Sequence, residues 1–134
     1  MNRKLIFFDI DGTIAVEPTG EIPDSAKEAI KKAKENGHLV FINTGRTFSG
    51  IPKTITELNF DGYVCGCGTH IYFQGKKIKE SVIPNDQCVE TVKILRKYQV
   101  YAFYEADQEF ILIFLTQIRF LKWERKSLVP RENR

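Results

Sequence analysis

Two carboxylates one residue apart, Asp9 and Asp11, follow the apolar run Leu5-Ile6-Phe7-Phe8 in the segment Asp9-Ile10-Asp11-Gly12-Thr13. Acids so placed at a strand end point into one crevice, and phosphoryl transfer uses such a pair. One carboxylate attacks phosphorus and becomes an aspartyl phosphate; the other protonates the leaving oxygen and then deprotonates the water that releases phosphate. Two acids this close to an anionic substrate also need a cation, and Mg2+ is satisfied by a few protein oxygens plus waters and substrate phosphate. A second polar cluster, Thr44-Gly45-Arg46, ends the next apolar run, Leu39-Val40-Phe41-Ile42. Its hydroxyl and backbone N–H groups are donors of the kind that hold phosphate oxygens. Gly45 permits close backbone approach, and Arg46 supplies a planar fork for phosphate or carboxylate.

The elements that position these clusters follow from periodicity. Residues 5–8 read as a strand buried on both faces of a parallel sheet. Over Ser25 to Asn36, residues Ala26, Ala29, Ile30 and Ala33 share one helical face, with lysines and glutamates opposite. Ser25 and Glu28 match a capping box, and Gly37 can supply the left-handed residue that ends the helix. Strand, helix and strand in so few residues predict a crossover with parallel strands. Both polar clusters then lie at the carboxyl edge of the sheet, where open α/β sheets bind ligands. A shorter helix is expected over about 47–58, irregular near Gly50 and Pro52, followed by a third strand at Tyr63-Val64-Cys65.

Beyond Cys65 the texture changes. A hairpin is predicted from residues 70–73 and 77–83 with Gly75 at its turn. A helix from Asn85 or Asp86 to about Tyr98 carries Cys88, Val92 and Leu95 on one face. Strands are expected at 100–104 and 109–115, with Tyr101, Phe103, Tyr104 and Phe110 as core. The reading is an α/β protein: a partial Rossmann-like parallel core over 1–67, a partial α+β unit over 68–116 with its boundary near Gly66 to Thr69, and a basic tail of unassigned structure over 117–134.

The motifs resemble a known family. FFDIDGT looks like the first motif of the haloacid dehalogenase superfamily, and INTGR resembles the second motif of its Cof-type members, which carry a large α/β cap (class IIB). VCGCGTHIYFQGKKI is similar to their passage from core to cap, where Asn-Gly usually stands in place of Cys67-Gly68. The match covers about residues 4 to 105. It implies a phosphohydrolase of small phosphorylated metabolites, such as sugar phosphates or nucleotide-like compounds. By that resemblance Asp9 is nucleophile and metal ligand, and Asp11 is acid/base and binds Mg2+ through its carbonyl. Thr44 holds phosphate, with Gly45 and Arg46 beside it. The family's lysine motif and its acidic GDxxxD or GDxxND motif are not found in register: Asn85-Asp86 lacks the preceding glycine, and Asp61-Gly62 precedes a strand. The sequence therefore predicts a premature end, by frameshift, that leaves a partial core and half a cap; the alternative is a short variant with its own terminal helix. An exposed sheet edge, low stability, poor Mg2+ affinity and weak turnover are expected of such a chain.

Bulk properties exclude several other classes. At 134 residues, with 43% hydrophobic and 28% charged, the composition is that of a globular chain, not of a disordered or collagenous one. The net charge of +3 is a tail property: residues 117–134 hold six Lys/Arg and two Glu, so the tail carries +4 and the rest −1. Dispersed charges of this kind read as a solvated face, and no nucleic-acid-reading motif is present. Three cysteines, an odd count, and a short apolar start predict a soluble cytoplasmic protein without disulfides. Cys65 and Cys67 lack the partners a zinc site needs, and His70 reads as a surface residue. Two other functions compete with the phosphohydrolase. A catalytically inactive phosphate-binding or interaction module would keep the fold without turnover. A signalling receiver would need adjacent acids and an aspartate directly after the third strand, and here Ile10 splits the pair and none follows Cys65.

Overall fold

The computed structural model describes residues 2–106, 109–113 and 118–122. The chain forms two compact units, Met1–Pro84 and Asn85–Arg134.

In the first unit, strands β1 (Leu5–Phe8), β2 (Leu39–Asn43) and β3 (Gly62–Cys65) run parallel, with Phe8 beside Ile42 and Asn43 beside Val64. Strands β4 (His70–Phe73) and β5 (Lys76–Glu80) continue the same sheet antiparallel, in the order β1-β2-β3-β4-β5. The hairpin turn is Gln74-Gly75, both left-handed at φ 48° and 75°, the twist that suits a two-residue connection. Because β4 pairs with β3 along its whole length, the hairpin belongs to the first unit. The compact units therefore divide at Pro84, not at Gly66 to Thr69 where the change of texture pointed.

Helix α1 (Asp24–Glu35) buries Ile30 and half-buries Ala26 and Ala33 against the sheet face that carries Val40 and Ile42; Ala29 is exposed. The expected capping box does not form. The cap lies two residues earlier, at Pro23, so Ser25 lies inside the first turn and no side chain caps the N-terminus. Asp24 is left near the positive end of the helix dipole and pairs with Lys27 at 2.8 Å. The C-terminus closes as expected: Gly37 takes φ 81°, its N–H reaches the Lys34 carbonyl, and the His38 N–H reaches Ala33.

The segment expected as one helix over 47–58 is a single tight turn at Phe48–Gly50 followed by α2 (Lys53–Thr56), because Pro52 cannot continue a hydrogen-bonded helix. Ile51 and Ile55 from this stretch join Ile10, Ile14, Ile30, Val40 and Ile42 in one core, with Phe48, Tyr63 and Tyr72 packed against it. Asp61 is structural: its N–H donates to the Val40 carbonyl and its carboxylate accepts from the Val40 N–H, both at 2.9 Å.

All these helices cover one face. On the other, Phe41 stacks between Phe7 (centroids 5.0 Å) and Phe73 (5.8 Å), a row that crosses β3 at Gly62, where a side chain would collide with the Phe41 ring. Leu5 and Phe7 on that face are 57% and 51% exposed, so β1 is not buried on both faces as its composition predicted. Among the described residues it lies at the edge of the sheet, with one covered side.

The second unit holds α3 (Asn85–Lys97) and an antiparallel sheet of β6 (Ala102–Glu105), β7 (Glu109–Ile113) and β8 (Ile118–Lys122). Cys88, Val92 and Leu95 are the partly buried positions of α3, and the Tyr104 hydroxyl donates to the Cys88 carbonyl at 3.2 Å. Tyr101 and Phe103, expected in the core, are exposed at 68% and 59%. β8 falls where a tail without assigned structure was expected; the rest of that tail, from residue 123, lies outside the described residues.

Candidate active site

The turn after β1 is wound on one carbonyl. Ile10 C=O accepts from the N–H groups of Thr13, Ile14 and Ala15, while Gly12, at φ 69°, donates to Ala15. Ile10, Ile14 and Ala15 are buried at 1%, 4% and 8% and anchor the turn in the core. With Ile10 pointing inward, Asp9 and Asp11 on either side of it are turned out, and both are exposed. Alternation around one buried residue is thus what presents the two carboxylates.

The end of β2 is sewn to the end of β3. The Thr44 N–H donates to the Val64 carbonyl, the Cys67 N–H to the Thr44 carbonyl, and the Gly66 N–H to the Arg46 carbonyl. Thr44 is 4% exposed, and its hydroxyl oxygen accepts the Arg46 N–H at 3.2 Å. Gly45 is not demanded by crowding, since a Cβ there would meet only the Cys67 sulfur at an ordinary 3.6 Å.

Beyond the carboxyl ends of the adjacent strands β1 and β2, Arg46 grips Asp11 with both arms of its fork. Its Nε donates to Oδ2 at 2.9 Å and its Nη2 to Oδ1 at 2.5 Å, while Nη1 donates to the Gly50 carbonyl at 3.3 Å. Hydrogen bonding from Arg46, opposed by partial burial and aided by the guanidinium charge, holds the Asp11 carboxyl below the usual aspartate range. Asp11 and Arg46 are therefore in direct contact. Asp9 lies two residues from Asp11 on the same turn, and Thr44 lies two residues from Arg46 on the same loop.

Two residues near this edge, Cys67 and His70, add to the sequence reading or depart from it. Cys67 holds a left-handed backbone at φ 54°, rare without glycine, and its exposed thiol lies beside Gly45. Its place between Gly66 and Gly68 was the available signal. Cys65 is fully buried while Cys67 is exposed, so the pair does not converge on a metal. His70 is not a surface side chain. At 12% exposure it lies 3.0 Å from the Thr69 hydroxyl through Nδ1 and 3.6 Å from Glu80 through Nε2.

The chain is 33% identical over 86 residues to the Bacillus subtilis protein YkrA, provisionally named a phosphatase, a match that covers 64% of this chain and 33% of that one. It is 25% identical over 114 residues to the pyridoxal phosphate phosphatase YbhA of Escherichia coli K12, covering 83% of this chain and 42% of YbhA. The solved structure of the subclass IIB sugar phosphatase BT4131 superposes with a TM-score of 0.70 at 30% identity, over 81% of this chain and 43% of that one. The chain thus spans between about a third and just under half of these relatives. The haloacid dehalogenase-like hydrolase family matches residues 6–128, nearly the whole length, and the chain belongs to that family.

Proposed function

We propose that this chain carries the carboxylate and phosphate-binding part of a phosphohydrolase acting on small phosphorylated metabolites through an aspartyl phosphate. The observation that carries the reading is the Asp11–Arg46 contact, which joins the acidic turn after β1 to the donor loop after β2. Asp9, exposed and next to the end of β1, attacks phosphorus as the bond to the leaving oxygen breaks, and Asp11 gives that oxygen a proton. Asp11 then takes a proton from the attacking water as the bond from phosphorus to Asp9 breaks and phosphate leaves. Thr44, Gly45 and Arg46 hold the nonbridging oxygens. The names of YbhA and BT4131 support a phosphate monoester of a small molecule as the substrate class.

The donor set fits Mg2+ in kind. The Asp9 carboxylate and the Asp11 carbonyl are hard oxygens that would hold it, with the rest of its shell left to water and phosphate. When bound, the ion offsets repulsion between the anionic nucleophile and an anionic substrate. Among the described residues no group of three or more His, Cys, Asp or Glu converges on one point, so weak affinity for the ion is part of the proposal. In the empty site the Arg46 contact keeps Asp11 ionised, so turnover is low unless that contact opens. No helix among the described residues is long and apolar enough to cross a membrane.

The same two observations favour a second reading, a phosphate-binding module without turnover. Release of p-nitrophenol from p-nitrophenyl phosphate, with and without Mg2+, separates the two when measured beside phosphate binding. The hydrolase reading expects a slow, Mg2+-dependent rate that falls to the enzyme-free level in Asp9→Asn. Binding with no such rate leaves the module, and neither binding nor rate removes both.

A further inference from the structure

We propose that Arg46 is an exchangeable partner of Asp11: it docks on that carboxylate in the empty site and is taken over by the phosphoryl group of an entering phosphate monoester. This rests on the reading of the site as phosphate-binding and adds to it a coupling between substrate entry and release of Asp11.

Several features of the pair point this way. Both oxygens of Asp11 are engaged by the fork, so while the contact lasts the carboxylate has its strongest lone-pair directions occupied. The contact is nevertheless at the surface, with side chains 40% and 43% exposed, where water and salt weaken an ion pair. A phosphate dianion offers the same planar fork more charge and more oxygens than a carboxylate does. The Arg46 backbone is fixed, with its N–H on the Thr44 hydroxyl and its carbonyl on the Gly66 N–H. Exchange therefore needs only side-chain torsions. The Gly50 carbonyl, on Nη1, keeps the head group near the site during the swap. Arg46 acts here as a positioning residue for Asp11 and as the sensor of the phosphate.

The test is a double-mutant cycle on binding of inorganic phosphate, measured by calorimetry with the full chain, on wild type, Asp11→Asn, Arg46→Ala and the double variant. If Arg46 must leave Asp11 to bind phosphate, Asp11→Asn tightens binding about fivefold or more, and that gain shrinks below about twofold when Arg46 is absent. Simple repulsion between Asp11 and phosphate predicts the same gain in both backgrounds, and that result overturns the exchange. Weaker or unchanged binding in Asp11→Asn overturns it as well. Should Arg46→Ala fail to fold, Arg46→Lys replaces it: the charge stays but cannot bridge both oxygens, so coupling again drops below about twofold, and full coupling with lysine refutes a role for the fork. Wild type that binds phosphate without coupling removes this inference alone. Absence of binding in every folded protein removes the phosphate-site reading and this inference with it.

Discussion

A bidentate hydrogen bond fixes the charge of Asp11 more firmly than its surroundings alone would. The folded-state pKa is depressed, so the pair contributes stability above the unfolded carboxyl value and loses it as pH falls through the lower folded value. Arg46→Ala should therefore be less stable than wild type at neutral pH by under about 1 kcal/mol, because the pair is exposed. The difference should shrink as pH falls below the unfolded carboxyl value and through the lower folded one, as Asp11 takes up its proton. Urea unfolding at several pH values measures this; a difference that grows in acid contradicts it. In the same variant the Asp11 carboxyl, followed by carbon NMR, should titrate closer to the ordinary value of about 3.9.

At the scale of elements, the aromatic row over Gly62 makes a position with no side chain decisive for how β2, β3 and β4 pack. A methyl group at Gly62 would overlap the Phe41 ring and the Tyr72 carbonyl. Gly62→Ala should cost about 1–3 kcal/mol, seen as a lower denaturation midpoint with an unchanged slope. Adding Phe41→Leu relieves the ring but not the backbone clash, so rescue should be partial; full rescue would show that the sheet itself had room. Gly37→Ala, by contrast, strains only the backbone at φ 81° and should cost about 1 kcal/mol. These elements were unevenly legible in the sequence. The strands β1, β2 and β3 and the end of α1 are written locally, as apolar runs and a glycine. The start of α1 is not legible because Ser25 and Glu28 satisfy a capping pattern that Pro23 pre-empts by capping the helix two residues sooner. The exposure of Leu5 and Phe7 could not be read, because apolar composition says what a strand can bury and not what lies over it. β8 escaped notice because Ile118 to Lys122 becomes a strand only by pairing with β7, a partner its own composition does not specify. The grip of Arg46 on Asp11 was hidden for a related reason. The two residues are 35 positions apart, and sequence placed both at the carboxyl edge without deciding whether the fork turns to a carboxylate or to a ligand.

For the whole molecule the decisive question is where one compact body ends and the next begins. The turn from Gly66 to Thr69, where the sequence changes texture, is pinned by backbone bonds to Arg46 and Thr44, by the Thr69 hydroxyl on the Gly66 carbonyl, and by the Ser81 N–H on Thr69. Residues 81–84, between β5 and α3, lie outside any helix or strand and are exposed, with Val82 at 73% and Ile83 at 59%. Proteases cut where backbone is exposed and can leave the fold at small cost, which favours residues 81–84, exposed and outside any helix or strand. Brief digestion with elastase should therefore cut first within 81–84 and yield a fragment ending near Ile83 that contains β1 to β5 and both polar clusters. Mass spectrometry of the first products reads the site directly. Cleavage first at Gly66 to Thr69 would mean that the hairpin β4–β5 is less firmly joined to β3 than their continuous pairing implies, and would restore the boundary that the sequence texture pointed to.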